Sequence, residues 1–268
     1  MPPRILAIDW SGAASGAARR IWLAEYSPSR QRLVRLECGR SRAEMVQHLL
    51  DEIGRDPQVV IGLDFAFSLP LWYARQRGLR DVDAVWSLVA REGEGWLSTS
   101  PYPFWGRPGS RRPDVPAHFR RTEGEFPAVA GIRPKSVLQI GGAGAVGTGS
   151  IRGMPHLRTL RAAGCAVWPF DAPRVPLVVE IYPRLLTGPV TKGDAEARAR
   201  YLDTRVPLLD APLRRLATSS EDAFDAALSA LAMGAVAESF LSLGEAADEI
   251  EALEGAIWQP PGPREGVE

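Results

Sequence analysis

Residues 4–9 read RILAID: a basic entry, four apolar side chains, and an acid, Asp9, at the end. A second run, QVVIGL at 58–63, is followed at once by Asp64, and a third, PLVVEI at 176–181, carries Glu180. Continuous apolar runs of this length suit strands covered on both faces, as in the parallel half of an α/β sheet. RIWLAEY at 20–26 and RLVRLEC at 32–38 alternate instead. Residues 4–38 therefore read as a three-stranded meander with turns at 10–18 and 27–31.

Outward from these strands, Ser41 is placed to cap a helix to about Ile53, with Ala43, Val46, Leu49, Leu50 and Ile53 on one face and Gly54 as its stop. Further helices are expected at 68–77, 155–163, 194–203, 207–216, 220–241 and 245–255, with a strand at 165–169. The helix at 220–241 carries Phe224, Ala227, Leu228, Leu231 and Ala235 as one stripe. From 78 to about 153 the pattern is irregular and rich in Gly, Pro, Arg and aromatics, with some helix near 81–91. A structureless loop of that length is unusual, so the stretch reads as an insertion or subdomain. The expected architecture is a single α/β domain over 1–258, followed by a flexible tail at 259–268. Its mixed sheet has three antiparallel strands plus parallel strands, flanked by helices.

The 268 residues balance 32 Lys+Arg against 32 Asp+Glu. A formal net charge of zero argues against the strongly basic kind of nucleic-acid binder and against an acidic disordered tail protein. Hydrophobic residues make up 45% of the chain, with eight Trp, enough for a sizeable core. Cys38 and Cys165 lie far apart, and His48, His118 and His156 are scattered, so neither a disulfide scaffold nor a Cys-rich zinc site is expected. No apolar run approaches 18 residues, so no membrane span is expected. The N-terminal run reads as a strand rather than a signal peptide, and a cytoplasmic protein is expected. Only Lys135 and Lys192 are lysines and Asn is absent, a bias expected of a GC-rich genome.

Asp9, Asp64 and Glu180 all sit at the carboxyl ends of predicted strands, where open α/β sheets place their ligands. Asp222 and Asp225 lie three apart on the last long helix and share a face. Should that helix pack beside the strand ends, four or five carboxylates converge. Converging carboxylates repel one another unless cations neutralise them. Mg²⁺ and Mn²⁺ are the natural partners, because hard divalent ions take oxygen ligands and need neither His nor Cys. Structural roles compete for some of these acids. Asp9 also suits an Asx turn, Glu180 a pair with Arg184, and Asp222 the dipole of its helix.

The stretches IDWSG at 8–12, GLDF at 62–65, VEIYP at 179–183 and EDAFDAA at 221–227 resemble, in that order, the domain-of-unknown-function family 429. That family is regarded as predicted nucleases of RNase H-like fold, and the helix with Asp222 and Asp225 is similar to the last helix of Holliday-junction resolvases. The resemblance implies an RNase H-like sheet and metal-dependent hydrolysis of a phosphodiester, with nucleic acid or a small phosphodiester as substrate. It implies two ions, roughly 3.5–4 Å apart, one activating water and the other stabilising the leaving oxygen. Asp9 would bridge them, Asp64 and Glu180 would complete one, and Asp222 or Asp225 the other. The chain departs from many RNase H-like nucleases in having Asp64 where they place Glu, a loss of reach for which Glu180 would compensate.

Two further stretches bear on substrate. GAGAVG at 142–147 matches GxGxxG, but Gly149, Gly153 and Pro155 argue against the immediate long helix that a dinucleotide site needs. Its backbone N–H groups suit a phosphate, and the stretch reads equally as a plain flexible linker into the helix at 155. Segment 101–140 carries seven basic residues against three acids, with Phe104, Trp105, Phe119 and Phe126 interleaved, a composition suited to phosphate contact and base stacking. Ser11, Arg107, Arg111, Arg112, Gly144, Gly147 and Ser150 are the candidate substrate contacts. Two alternatives stand beside the nuclease reading: a non-catalytic binding protein of the same fold, and a phosphotransferase of the actin/sugar-kinase type, for which the chain is short.

Overall fold

The computed structural model describes residues 2–126 and 128–261. The meander forms as the alternation requires: β1 (Arg4–Asp9), β2 (Trp22–Ser27) and β3 (Arg32–Cys38) pair antiparallel. Helix α1 (Arg42–Arg55) starts at a capping box, in which the Ser41 hydroxyl accepts from the Glu44 N–H and the Glu44 carboxylate accepts from the Ser41 N–H. It leads into β4 (Val59–Leu63), parallel to β1. Helices α2 (Leu71–Gln76), α3 (Val82–Thr99), α4 (Arg121–Glu125) and α5 (Gly147–Ala162) precede β5 (Ala166–Val167) and β6 (Leu177–Glu180). Then come α6 (Pro183–Thr187), α7 (Ala195–Arg205), α8 (Ala211–Ser219), α9 (Glu221–Ala235) and α10 (Glu251–Glu254). The mixed six-stranded sheet runs β3-β2-β1-β4-β6-β5, its last four strands mutually parallel.

Successive side chains along β1, β2, β4, β5 and β6 enter two different cores. Ile8, Leu63 and Val178 pack with Met45, Val85, Trp86, Ile151 and Leu157, from α1, α3 and α5. Ile5, Ala7, Val60 and Val179 pack with Phe224, Ala227 and Met233 of α9. Each fully buried Leu, Ile or Phe is worth about 1.5–3 kcal/mol, so both faces of the sheet hold their helices firmly. Close approach of α9 depends on Gly62, where a Cβ would stand 2.7 Å from the sulfur of Met233.

The stretch 78–153 is more regular than its composition suggests. Helix α3 runs on to Thr99, and α5 begins at Gly147, eight residues before the expected start, with Gly149, Gly153 and Pro155 inside it. Packing outweighs propensity here. A Cβ on Gly153 would stand 2.7 Å from the Phe65 ring, and one on Gly12 would overlap the backbone of Gly149. The glycines let α5 lie directly against the Asp9 and Asp64 loops. What remains irregular is 100–146, where, among the described residues, the short α4 is the only helix. Helix α9 ends at Ala235 rather than 241, and the chain tightens into a 3₁₀ turn, Ala237–Ser242, that buries Phe240 against Trp258, ring centroids 4.7 Å apart. Of the expected tail, 259–261 has no regular structure and 262–268 lies outside the described residues. Among the described residues no helix is long and apolar enough to cross a membrane.

Candidate functional site

Asp9 ends β1, and Asp64 follows the last residue of β4. The two strands lie in register at Ile8 and Leu63, and the Asp64 N–H donates to the Ile8 carbonyl at 3.1 Å. The aspartates are therefore neighbours on adjacent parallel strands. Both share the parity of Ile5, Ala7 and Val60, so they face α9. That helix starts over the strand ends, capped by Ser220, whose hydroxyl accepts from the Ala223 N–H at 3.0 Å. Its first turn presents Asp222, and Asp225 follows three residues on, on the same face. All four aspartates line one cleft of about 580 Å³ beyond the carboxyl ends of the strands.

The electrostatics follow from crowding. Asp9 is held well above the usual carboxylate range, first by burial and then by Asp64, Asp225 and Asp222. Asp64 is pushed up to about 8 by burial and by Asp225, with Lys192 opposing. Asp225 is raised by burial against the pull of Lys192, and Asp222 by burial against Arg20. Among the described residues Lys192 is the one hydrogen-bond donor to any of the four: its Nζ meets Asp225 Oδ2. Asp225 Oδ1 is buried with no partner at all. Tyr182, also lining the cleft, has its hydroxyl pushed up to about 12 by burial.

Glu180 belongs to the same wall but is already ion-paired. Its carboxylate receives both terminal nitrogens of Arg120, Nη1 at 2.9 Å, and the Phe67 N–H at 2.8 Å. Arg120 is fully buried and also binds Glu123 through Nε at 2.9 Å and the Glu254 carbonyl through Nη1 at 2.9 Å. Glu123 is raised to about 7 by burial despite this partner. The expected competitor for Glu180, Arg184, instead donates to the carbonyls of Gly188 and Val190. Arg120 thereby fastens the irregular segment to β6 and to the end of α10, which spans Glu251–Glu254.

The candidate substrate contacts divide. Gly144 lines the cleft, with Gly142, Ala145, Val146 and Lys135. Ser11 lies in an adjoining hollow with Asp9, Gly12 and Thr148, its hydroxyl accepting from the Ala13 N–H at 3.2 Å. Gly147 and Ser150 are buried: the Gly147 N–H donates to the Gln139 carbonyl at 3.0 Å, and Ser150 accepts from the Ala66 N–H at 3.0 Å. These two pin α5 to the site rather than face it. Arg107, Arg111 and Arg112 are exposed and do not line the cleft; Arg112 lies over the rings of Trp105 and Phe119, at 5.4 and 6.0 Å. Arg20 and Lys135 supply basic groups on the cleft wall instead. The sequence held a signal for the lysines: a chain that uses Arg almost everywhere places one lysine on the cleft wall and the other on Asp225.

The donor set suits a hard divalent cation, with carboxylate oxygens, raised affinity for positive charge, and one buried oxygen lacking any partner. Among the described residues no three acidic, histidine or cysteine side chains form a ready-made chelate. Mg²⁺ is commonly held by one or two carboxylates, with water completing its shell, so a pair such as Asp9 and Asp64 is a sufficient protein contribution. Against family models, curated proteins and solved structures alike, the chain finds no match.

Proposed function

We propose that this protein is a Mg²⁺- or Mn²⁺-dependent phosphodiester hydrolase of RNase H-like fold, acting on nucleic acid or on a small phosphodiester. The observation that carries the reading is the meeting of Asp9 and Asp64 under the first turn of α9, with Asp222 and Asp225 beside them. The order of the sheet, an antiparallel meander continued by parallel strands, is compatible with the expected fold.

Asp9 and Asp64 would hold the metal, Asp225 could join them once its carboxylate leaves Lys192, and half-buried Asp222 lies beside them in the cleft. A bound ion supplies a Lewis acid and lowers the pKa of its water. The remaining roles belong to the chain itself. Arg20 and Lys135 attract a phosphate to the cleft, and the glycine-rich wall at 142–145 lets a substrate approach the backbone closely. Glu180 is left out of the ligand set, since its oxygens are committed to Arg120 and Phe67. Its work is to shape the loop after Asp64.

The test is Mn²⁺-dependent hydrolysis of bis(4-nitrophenyl) phosphate and of labelled single- and double-stranded oligonucleotides. Asp9→Asn and Asp64→Asn are expected to lose about 10²-fold or more, the scale for a group acting at the reacting centre. Activity in both variants equal to wild type would overturn the assignment. The ion pair between Lys192 and Asp225 favours one competing reading, a binding protein whose acids are structural. Absence of Mn²⁺ binding and of hydrolysis together would select it.

A further inference from the structure

Lys192 is held in place from behind. It lies in the loop between α6 and α7, where Arg198, 5% exposed, donates to the Lys192 carbonyl. The same guanidinium grips the Thr218 carbonyl through Nε at 3.2 Å and Nη2 at 2.8 Å, tying the loop to the end of α8. Arg184 braces the loop from the other side through the carbonyls of Gly188, at 3.3 Å, and Val190, at 2.7 Å. From this anchored backbone the lysine ammonium reaches Asp225 Oδ2, while Asp225 Oδ1 stays buried and unpartnered. The carboxylate is thus half used by a cation that the chain itself supplies.

A lysine is suited to a temporary attachment. Its ammonium is a compact charge on a flexible four-carbon stem, and it can leave a carboxylate without movement of the backbone. Arginine, the residue this chain uses at 30 of its 32 basic positions, binds a carboxylate through a planar fork and is harder to displace.

We propose that Lys192 is an exchangeable internal cation: it neutralises Asp225 in the metal-free protein and gives up that carboxylate to an incoming divalent cation. The inference rests on the metal-dependent reading above and deepens it, by naming the residue that opposes metal entry. Replacing one positive charge by two leaves the cluster better neutralised than before, and frees an ammonium beside the cleft.

The experiment is a calorimetric Mn²⁺ titration of wild type, Lys192→Met and Lys192→Arg. Lys192→Met is expected to bind about tenfold more tightly or better, the scale of deleting one competing unit charge at hydrogen-bond distance. Lys192→Arg is expected to bind more weakly than wild type. Binding of equal strength in wild type and Lys192→Met would overturn the exchange while leaving the metal reading intact. Absence of binding in all three would overturn the metal reading and the exchange with it. Should Lys192→Met not fold, the wild-type protein gives the answer through reductive methylation followed by mass spectrometry, with Lys135 as the internal comparison. Saturating Mg²⁺ is expected to speed labelling of Lys192 severalfold, and unchanged or slower labelling would overturn the proposal.

Discussion

Glu180 stands opposite Leu63 in the parallel register of β4 and β6, one residue short of Asp64. Side chains alternate along a strand, so this single step puts Glu180 on the face of Ile8 and Leu63, and Asp64 with Asp9 on the face of α9. The wall of acids at the strand ends thus divides into an ion-paired half and a half that faces α9. Arg120 completes the first, and the helix with Asp222 and Asp225 completes the second.

The Arg120–Glu180 pair is buried on both sides, and removing one partner leaves an uncompensated charge. Arg120→Met and Glu180→Leu are each expected to destabilise by about 3–5 kcal/mol, while the double substitution costs much less than their sum. Urea unfolding of the four proteins gives the coupling directly. Additive costs would show that the two side chains do not act as a pair.

Burial, and after it the neighbouring Asp225, pushes Asp64 up to about 8 in the folded protein from an ordinary value of 3.8. The fold therefore holds this proton more tightly than the unfolded chain does. The resulting stabilisation is complete below about pH 4 and is lost as pH rises through 8. In the presence of a chelator, the stability of wild type relative to Asp64→Asn is expected to fall between pH 5 and 8.5. Comparison with the variant removes the contribution of the three histidines, each of which burial holds below its ordinary value. A relative stability that rises with pH would contradict the crowded-carboxylate account.

Gly153→Ala tests whether α5 is positioned by contact with the Asp64 loop. Helix propensity alone favours the alanine by about 1 kcal/mol. The new methyl, however, meets the Phe65 ring at 2.7 Å, and overpacking of this kind costs about 1–3 kcal/mol. The variant is expected to be less stable and less active. Thermal unfolding at or above the wild-type midpoint would show that α5 has room to move.

Much of this was legible in the chain. The apolar runs and the alternation located β1 to β4 and β6 within about two residues, the Ser41 cap marked the start of α1, and the apolar stripe of 220–241 marked that of α9. The acids at the strand ends were visible as well. Register was not: a one-residue phase between β4 and β6 depends on pairing between segments more than 100 residues apart, and it decided which face of the sheet Glu180 occupies. Helix α5 was hidden because glycines that lower helix propensity are required by tertiary contact with Phe65 and with the backbone at Gly12. Arg120 was one of seven basic residues in an irregular segment, with no local feature to single it out.

Arg107, Arg111 and Arg112 are exposed and lie off the cleft. Replacing all three by alanine is expected to change stability by less than about 1 kcal/mol and to leave Mn²⁺ affinity unchanged. If the substrate is nucleic acid and this patch touches its phosphates, binding weakens and its salt dependence becomes shallower. Fluorescence anisotropy with a labelled oligonucleotide at several salt concentrations measures both.

The account stands on Asp9 and Asp64 acting together on a divalent cation. Its most direct test is a calorimetric Mn²⁺ titration of the wild-type protein beside Asp9→Asn at pH 7.5. The wild type is expected to bind, with the affinity of Asp9→Asn reduced at least about tenfold. Equal affinity in the two proteins, or no binding by the wild type, would contradict the assignment of this cleft as a metal-dependent site.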